Sequence, residues 1–253
     1  MRPGSGRKNQ GVIQVTVIKI CGITDITEAV STAELGADIL GLVFASGRHQ
    51  ITAQQARQIV RQVRRLPFCV KLAGVFVNEN PDFINDTAAQ CDLDMVQLSG
   101  DEDTECCRKI YFPVIKVVHV GPASNLQQIL REIDSIYSRM RERPVVCMLD
   151  SKPDSSYGGS GINFDWHVAA EASLRFPIMV AGGLRADNVR RLIRTVAPAG
   201  VDVSTGVETD GHKDIRKIMD FIRTVRLTHT CTPHDSHTLF GKLLKRGDQL
   251  DSR

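Results

Sequence analysis

Val15-Thr-Val-Ile-Lys-Ile-Cys21-Gly22 is the stretch on which the fold turns. Apolar and β-branched residues fill it, so it reads as a buried β-strand. Gly22-Ile-Thr24-Asp25 after it reads as a turn into a helix cap. The strand ends in a thiol. In a parallel barrel the active site lies at the C-terminal strand ends, so the weight given to Cys21 depends on whether the rest of the chain builds such a barrel.

It does so by its periodicity. Further strand-like runs lie at 39–44, 71–77, 95–98, 114–119, 145–150, 178–181 and 201–204. Helix-like stretches lie between and after them at 26–35, 53–64, 81–90, 104–110, 126–139, 166–174, 187–196 and 213–225. Eight β–α pairs in strict alternation predict a parallel sheet, and eight closing on one another make a (β/α)8 or TIM barrel. Several helix starts carry capping chemistry: Thr24, Asp25 and Glu28; Thr52 with Gln55; and Asn80 ahead of Pro81. Gly36 and Gly200 are expected to close helices.

The chain of 253 residues is 42% hydrophobic and 24% charged, a composition that supports one large core. The expected organisation is a single barrel domain at 14–227. Flexible, polar extensions are expected at 1–13 and 228–253, the second disordered or loosely docked. The net charge of +3 is small, and no basic stripe with interleaved aromatics appears, which argues against nucleic acid. No apolar run approaches the roughly 20 residues of a membrane-spanning helix. The N-terminus lacks the apolar segment of a signal peptide, so a cytoplasmic protein is expected.

Seven cysteines with no Cys-x-x-Cys pair read as reduced thiols, with Cys69 and Cys147 expected in the core. His229, Cys231, His234 and His237 lack a second ligand pair at zinc-finger spacing, and His119 and His167 read as structural or loop residues. No metal is expected.

Asp150 ends the sixth strand, so in a barrel it shares a mouth with Cys21. Tyr157-Gly-Gly-Ser-Gly161 follows it, a loop suited to close approach of backbone to a ligand. Ala181-Gly182-Gly183-Leu184 ends the seventh strand, and Asp202-Val-Ser204-Thr205-Gly206-Val207-Glu208 ends the eighth. Loops at those two places bind phosphate in many barrels, where backbone N–H groups and hydroxyls meet the anion.

The chain resembles the phosphoribosylanthranilate isomerases of tryptophan biosynthesis. The matching stretches run in order from Val17-Ile-Lys-Ile-Cys-Gly-Ile-Thr24 through Glu34-Leu-Gly-Ala-Asp-Ile-Leu-Gly-Leu-Val-Phe44, Gly74-Val-Phe-Val-Asn78 and Val96-Gln-Leu-Ser-Gly-Asp-Glu102. They continue through Leu149-Asp150, Gly158-Gly-Ser-Gly161 with Phe164-Asp-Trp166, Ala181-Gly-Gly-Leu184 and Gly200-Val-Asp-Val-Ser-Thr-Gly-Val-Glu208. The resemblance implies an Amadori rearrangement of a small phosphorylated substrate without cofactor, by a monomer or homodimer. It implies Asp150 as general acid and Cys21 as general base, with Asp202 near the substrate and phosphate on Gly182, Gly183, Ser204, Thr205 and Gly206.

Two departures from the family pattern stand out. Where the family has an arginine after strand two, His49 takes its place and Arg48 sits one residue early. A histidine common after strand four is Ser99 here. Arg48 is the favoured contact for an anthranilate carboxylate, with His49 as the alternative, because a guanidinium fork matches a carboxylate. Two rival readings are a dual-specificity tryptophan and histidine pathway barrel, which usually carries acids at both half-barrel ends, and a non-catalytic phosphate-ligand barrel.

Overall fold

The computed structural model describes residues 13–121, 124–151, 166–228 and 230–231. Eight parallel strands close into a barrel in chain order: β1 Val17–Cys21, β2 Ile39–Val43, β3 Lys71–Phe76, β4 Met95–Leu98, β5 Val114–Val120, β6 Val145–Ser151, β7 Ile178–Val180 and β8 Gly200–Val203. The helices are α1 Ile26–Glu34, α2 Ala53–Val63, α3 Pro81–Gln90, α4 Thr104–Arg108, α5 Leu126–Arg139, α6 Trp166–Ser173, α7 Val189–Val196 and α8 Ile215–Arg226. Each expected strand and helix is present, with ends shifted by a few residues at most.

Side chains alternate across each strand, and this alternation makes two cores. Ile18, Ile20, Leu40 and Leu42 face outward into the layer between sheet and helices. Val17, Ile39, Ala73, Ile115, Val146 and Met179 point inward and fill the barrel. The parity that sends Val17 inward also sends Lys19 and Cys21 inward, and on β6 it sends Asp150 the way of Val146 and Met148.

The helix starts carry the caps the residues predicted. Asp25 accepts from Glu28 N at 2.9 Å, and the Glu28 carboxylate reaches back to Thr24 N. Thr52 and Gln55 form a reciprocal capping box, and Asn80 caps a helix that begins with Pro81. Gly36 closes α1 at φ +95°. Gly200 does not close α7: Ala197 takes the left-handed position at φ 50°, and Gly200 opens β8. A Cβ there would be crowded, 3.2 Å from Val17 O on the neighbouring strand and 3.2 Å from the Met179 side chain.

Cys147 is buried as expected, but Cys69 is exposed. It sits in the connection before β3, one residue ahead of the point where Val70 turns into the core. Ile13–Gln14 pairs antiparallel with Thr230–Cys231, which joins the segment ahead of β1 to the segment after α8. Most of the expected extensions lies outside the described residues, as does the glycine loop at 157–161. Among the described residues no helix is long and apolar enough to cross a membrane.

Candidate active site

The C-terminal rim of the barrel gathers the chemistry-bearing residues. Beneath it, inside the barrel, Lys19 Nζ meets Asp202 Oδ1 at 2.8 Å. Lys19 is fully buried and Asp202 nearly so. The register pairs the two residues directly across β1 and β8, so strand alternation alone makes them neighbours. Burial by itself would lower the lysine's pKa. The Asp202 charge and hydrogen bond, with a smaller pull from the Cys21 sulfur, outweigh it and hold Lys19 above its ordinary range.

Cys21 ends β1 one layer above, opposite Gly41 of β2. A Cβ on Gly41 would lie 2.8 Å from Cys21 Sγ and 3.0 Å from Lys19 Nζ. Only glycine leaves room for the thiol and the ammonium at this point. Burial pushes the Cys21 thiol up. The Lys19 charge draws it down, Asp202 pushes it up again, and the net direction is upward. The resting group is therefore a thiol.

Asp150 lies near the end of β6, half-buried, in register with His119 of β5. Its carboxyl is pushed up to about 6 by burial first and by the Asp202 charge second. His119, the Ser151 backbone N–H and Lys19 pull the other way. At pH 7 about a tenth of such carboxyls hold a proton, far more than an ordinary aspartate keeps there, which is the reserve a general acid draws on. The Lys19–Asp202 pair thus acts electrostatically on both the thiol and the carboxyl above it.

The two glycine loops meet beside this pair. Gly182 and Gly183 both take positive φ, and a Cβ on Gly182 would lie 2.9 Å from Asp150 Oδ1. Asn188 ties the loop by accepting from Arg185 N and donating to Gly183 O. A Cβ on Gly206 would collide with the Leu184 carbonyl oxygen, so the seventh and eighth loops are in direct contact. Thr205–Val207 forms a single 3-10 turn after β8, with Ser204 just ahead of it.

Arg48 and His49 both converge on Glu208. Arg48 donates to Glu208 Oε2 at 2.8 Å and remains more than half exposed. His49 Nε2 lies 3.0 Å from Oε1. The His49 ring is pressed over Gly22, where a Cβ would lie 3.0 Å from its Cγ and 3.1 Å from Ser204 Oγ. Burial lowers the His49 pKa, and the Lys213 charge lowers it further against Glu208. At neutral pH His49 carries no charge, and Arg48 does.

A family model described as N-(5'-phosphoribosyl)anthranilate (PRA) isomerase matches residues 18–224. The chain belongs to the N-(5'-phosphoribosyl)anthranilate isomerase family. The isomerase of that name from Dehalococcoides mccartyi is 41% identical over 208 residues, covering 82% of this chain and 94% of that one. The crystal structure of phosphoribosyl anthranilate isomerase from Thermotoga maritima superposes with a TM-score of 0.71 at 41% identity, covering 83% of this chain and 98% of that one. A phosphoribosyl anthranilate isomerase in complex with reduced 1-(o-carboxyphenylamino)-1-deoxyribulose 5-phosphate superposes at 0.68 with 38% identity and the same coverage.

The contacts of several residues at this isomerase-family mouth escape sequence reasoning. Ser99 stands where the family commonly has histidine, and its carbonyl oxygen lies 3.0 Å from Nε2 of His119, which arrives from the next strand. A carbonyl only accepts, so the ring carries its proton on Nε2. Glu102, in the Val96–Glu102 stretch, is a brace: its carboxylate accepts from Asn78 N, Gly100 N and the buried Lys116 Nζ, tying the third and fourth loops together. The sequence places Lys213 at the start of a helix; it lies instead in a hairpin before α8 with its side chain buried. Its neighbour in sequence, the Asp210-Gly211 turn, was the available signal. Among the described residues no three His, Cys, Asp or Glu side chains gather as a metal site.

Proposed function

We propose that the chain is a phosphoribosylanthranilate isomerase that carries out the Amadori rearrangement of N-(5'-phosphoribosyl)anthranilate to the corresponding 1-deoxyribulose 5-phosphate. The observation that carries this reading is a carboxyl held near pKa 6 and a strand-end cysteine on the same barrel mouth, in a chain of this family. Asp150 protonates the ribose ring oxygen. The C1′–O bond breaks as the anilino nitrogen lone pair forms an iminium. Cys21 then removes the C2′ proton, and the released electron pair forms the C1′=C2′ bond of an enol amine, neutralising the iminium nitrogen. Loss of the enol proton and protonation of C1′ give the ketone.

Cys21 serves as a base although its resting form is a thiol. The iminium is a new positive charge at the mouth, and with Lys19 beneath the sulfur it favours the thiolate when it is needed. The active form of the free protein therefore has Asp150 protonated and Cys21 ionised, a minor proton isomer of the resting state.

The signs of the pH profile follow. Below about 6 Asp150 is already protonated, and each unit of acid lowers the thiolate share tenfold, so kcat/KM falls. Between about 6 and the raised Cys21 value the share of the active form is constant, and the profile is flat. Above that value the acid share falls and so does the rate. A phosphate monoester also titrates near 6. Asp150→Glu separates the two, since it moves the enzyme's limb and leaves the substrate's in place. A profile that stays flat down to pH 4 would remove the assignment of Asp150.

The phosphate sits against Gly182, Gly183, Ser204, Thr205 and Gly206, supported by the contact between the two loops. Arg48 holds the anthranilate carboxylate, because it is charged and exposed whereas His49 is neutral and pressed over Gly22. Arg48→Ala is expected to raise KM more than His49→Ala, and the reverse order would move the contact to His49. Asp202 acts on substrate chemistry from below, through Lys19 and through the proton on Asp150.

A further inference from the structure

Behind the eighth loop the chain turns back on itself. Glu208–Thr209 pairs with His212–Lys213 around Asp210 and Gly211, both at positive φ, which sets Lys213 directly opposite Glu208. The Lys213 side chain is almost wholly buried. Its Nζ donates to Glu208 Oε1 at 2.7 Å, to Ser204 O at 3.2 Å and to Ser204 Oγ at 3.3 Å. An ammonium has three hydrogens and no lone pair, and three acceptors take them all.

The consequence falls on Ser204. A hydroxyl has one hydrogen and can accept or donate. Because its oxygen already accepts from a cation that can only donate, its own hydrogen must point elsewhere. Ser204 is half-buried, and its Oγ borders Gly22, at the mouth side of the loop. A hydroxyl polarised by an ammonium behind it and donating outward suits an anionic oxygen.

We infer that Lys213 is a positioning residue for a phosphate monoester: it holds Ser204 as an obligate donor toward the anion and lends that hydroxyl its charge. Glu208 makes a buried ammonium tolerable there and is shared with Arg48 and His49. This inference rests on the reading of the 204–206 loop as the phosphate site.

The test is a comparison of Ser204→Ala, Lys213→Met with Glu208→Gln, and the triple combination. Pairing the Lys213 and Glu208 changes avoids leaving the buried Glu208 carboxylate with only the exposed Arg48 as its cation. The readouts are KM, kcat and the competitive inhibition constant of inorganic phosphate, with thermal unfolding as the check on folding. Ser204→Ala is expected to weaken phosphate roughly tenfold. The Lys213 and Glu208 pair change is expected to weaken phosphate by the same factor without a matching fall in kcat; the inhibition constant decides, because Glu208→Gln also releases Arg48 and moves KM by that route. The triple variant is expected to be no weaker than the worse of its parents, since both act through one hydroxyl. Phosphate inhibition unchanged in the Lys213 and Glu208 variant, or losses that multiply in the triple variant, would overturn the inference. Phosphate inhibition unchanged in Ser204→Ala would instead overturn the placing of the phosphate itself.

Discussion

Asp150→Asn is expected to lower kcat/KM by about 10²- to 10⁴-fold, and Cys21→Ser by a similar factor, the range that a positioned proton donor or acceptor supplies. Asparagine keeps the shape of the carboxyl and loses the proton that is held to about 6. Serine keeps most of the size of cysteine, and its alcohol is a far weaker acid than a thiol, so its oxygen cannot take up the base's role near neutrality. Folding is expected to survive both changes. The Asp150 carboxylate is disfavoured by burial and by Asp202, so Asn removes an unfavourable charge, and the unfolding temperature should not fall. Loss of activity with retained stability marks a catalytic group. Turnover at the level of the unaltered protein in either variant would take that role from the residue concerned.

Lys19→Met is expected to destabilise the fold by about 3–5 kcal/mol, the cost of leaving a buried carboxylate without its partner. The pair is buried inside the barrel, with only a small part of Asp202 reached by water, so solvent does little to screen it. Urea unfolding measures the change. Replacing both members, as Lys19→Met with Asp202→Leu, should recover most of the loss, because two apolar side chains of similar volume carry no desolvation penalty. An unchanged urea midpoint in Lys19→Met would show that the pair adds nothing to stability. The single variant also removes a charge that draws the Cys21 thiol and the Asp150 carboxyl down, so both groups should titrate higher.

The barrel was legible because its signals are local. Alternating β-branched runs, Thr52 with Gln55, and Asn80 ahead of Pro81 each act within a few residues. The candidate site was legible in part. Cys21 and Asp150 end strands, and a barrel brings every such end to one mouth. Gly200 reads as a helix stop because a glycine in a place crowded by a neighbouring strand looks, in one dimension, like one that its own backbone requires. Cys69 reads as core because its neighbours are apolar, whereas the strand starts two residues later and leaves it exposed. Lys213 looks like the start of a helix in one dimension, and its burial depends on a hairpin that brings it back to Glu208.

By itself, the sequence determined the order of eight strands and eight helices, and with it which residues stand at the C-terminal rim, since these depend on backbone periodicity and caps. Tertiary structure alone decided what each rim group faces. It set Lys19 against Asp202 through the register of β1 on β8, gave Cys21 its space through Gly41 on β2, and drew Arg48, His49 and Lys213 onto the one carboxylate of Glu208. The physical reason is that charge and burial act through space: the proton affinity of Asp150 and Cys21 depends on neighbours that closure of the barrel brings up from the far end of the chain.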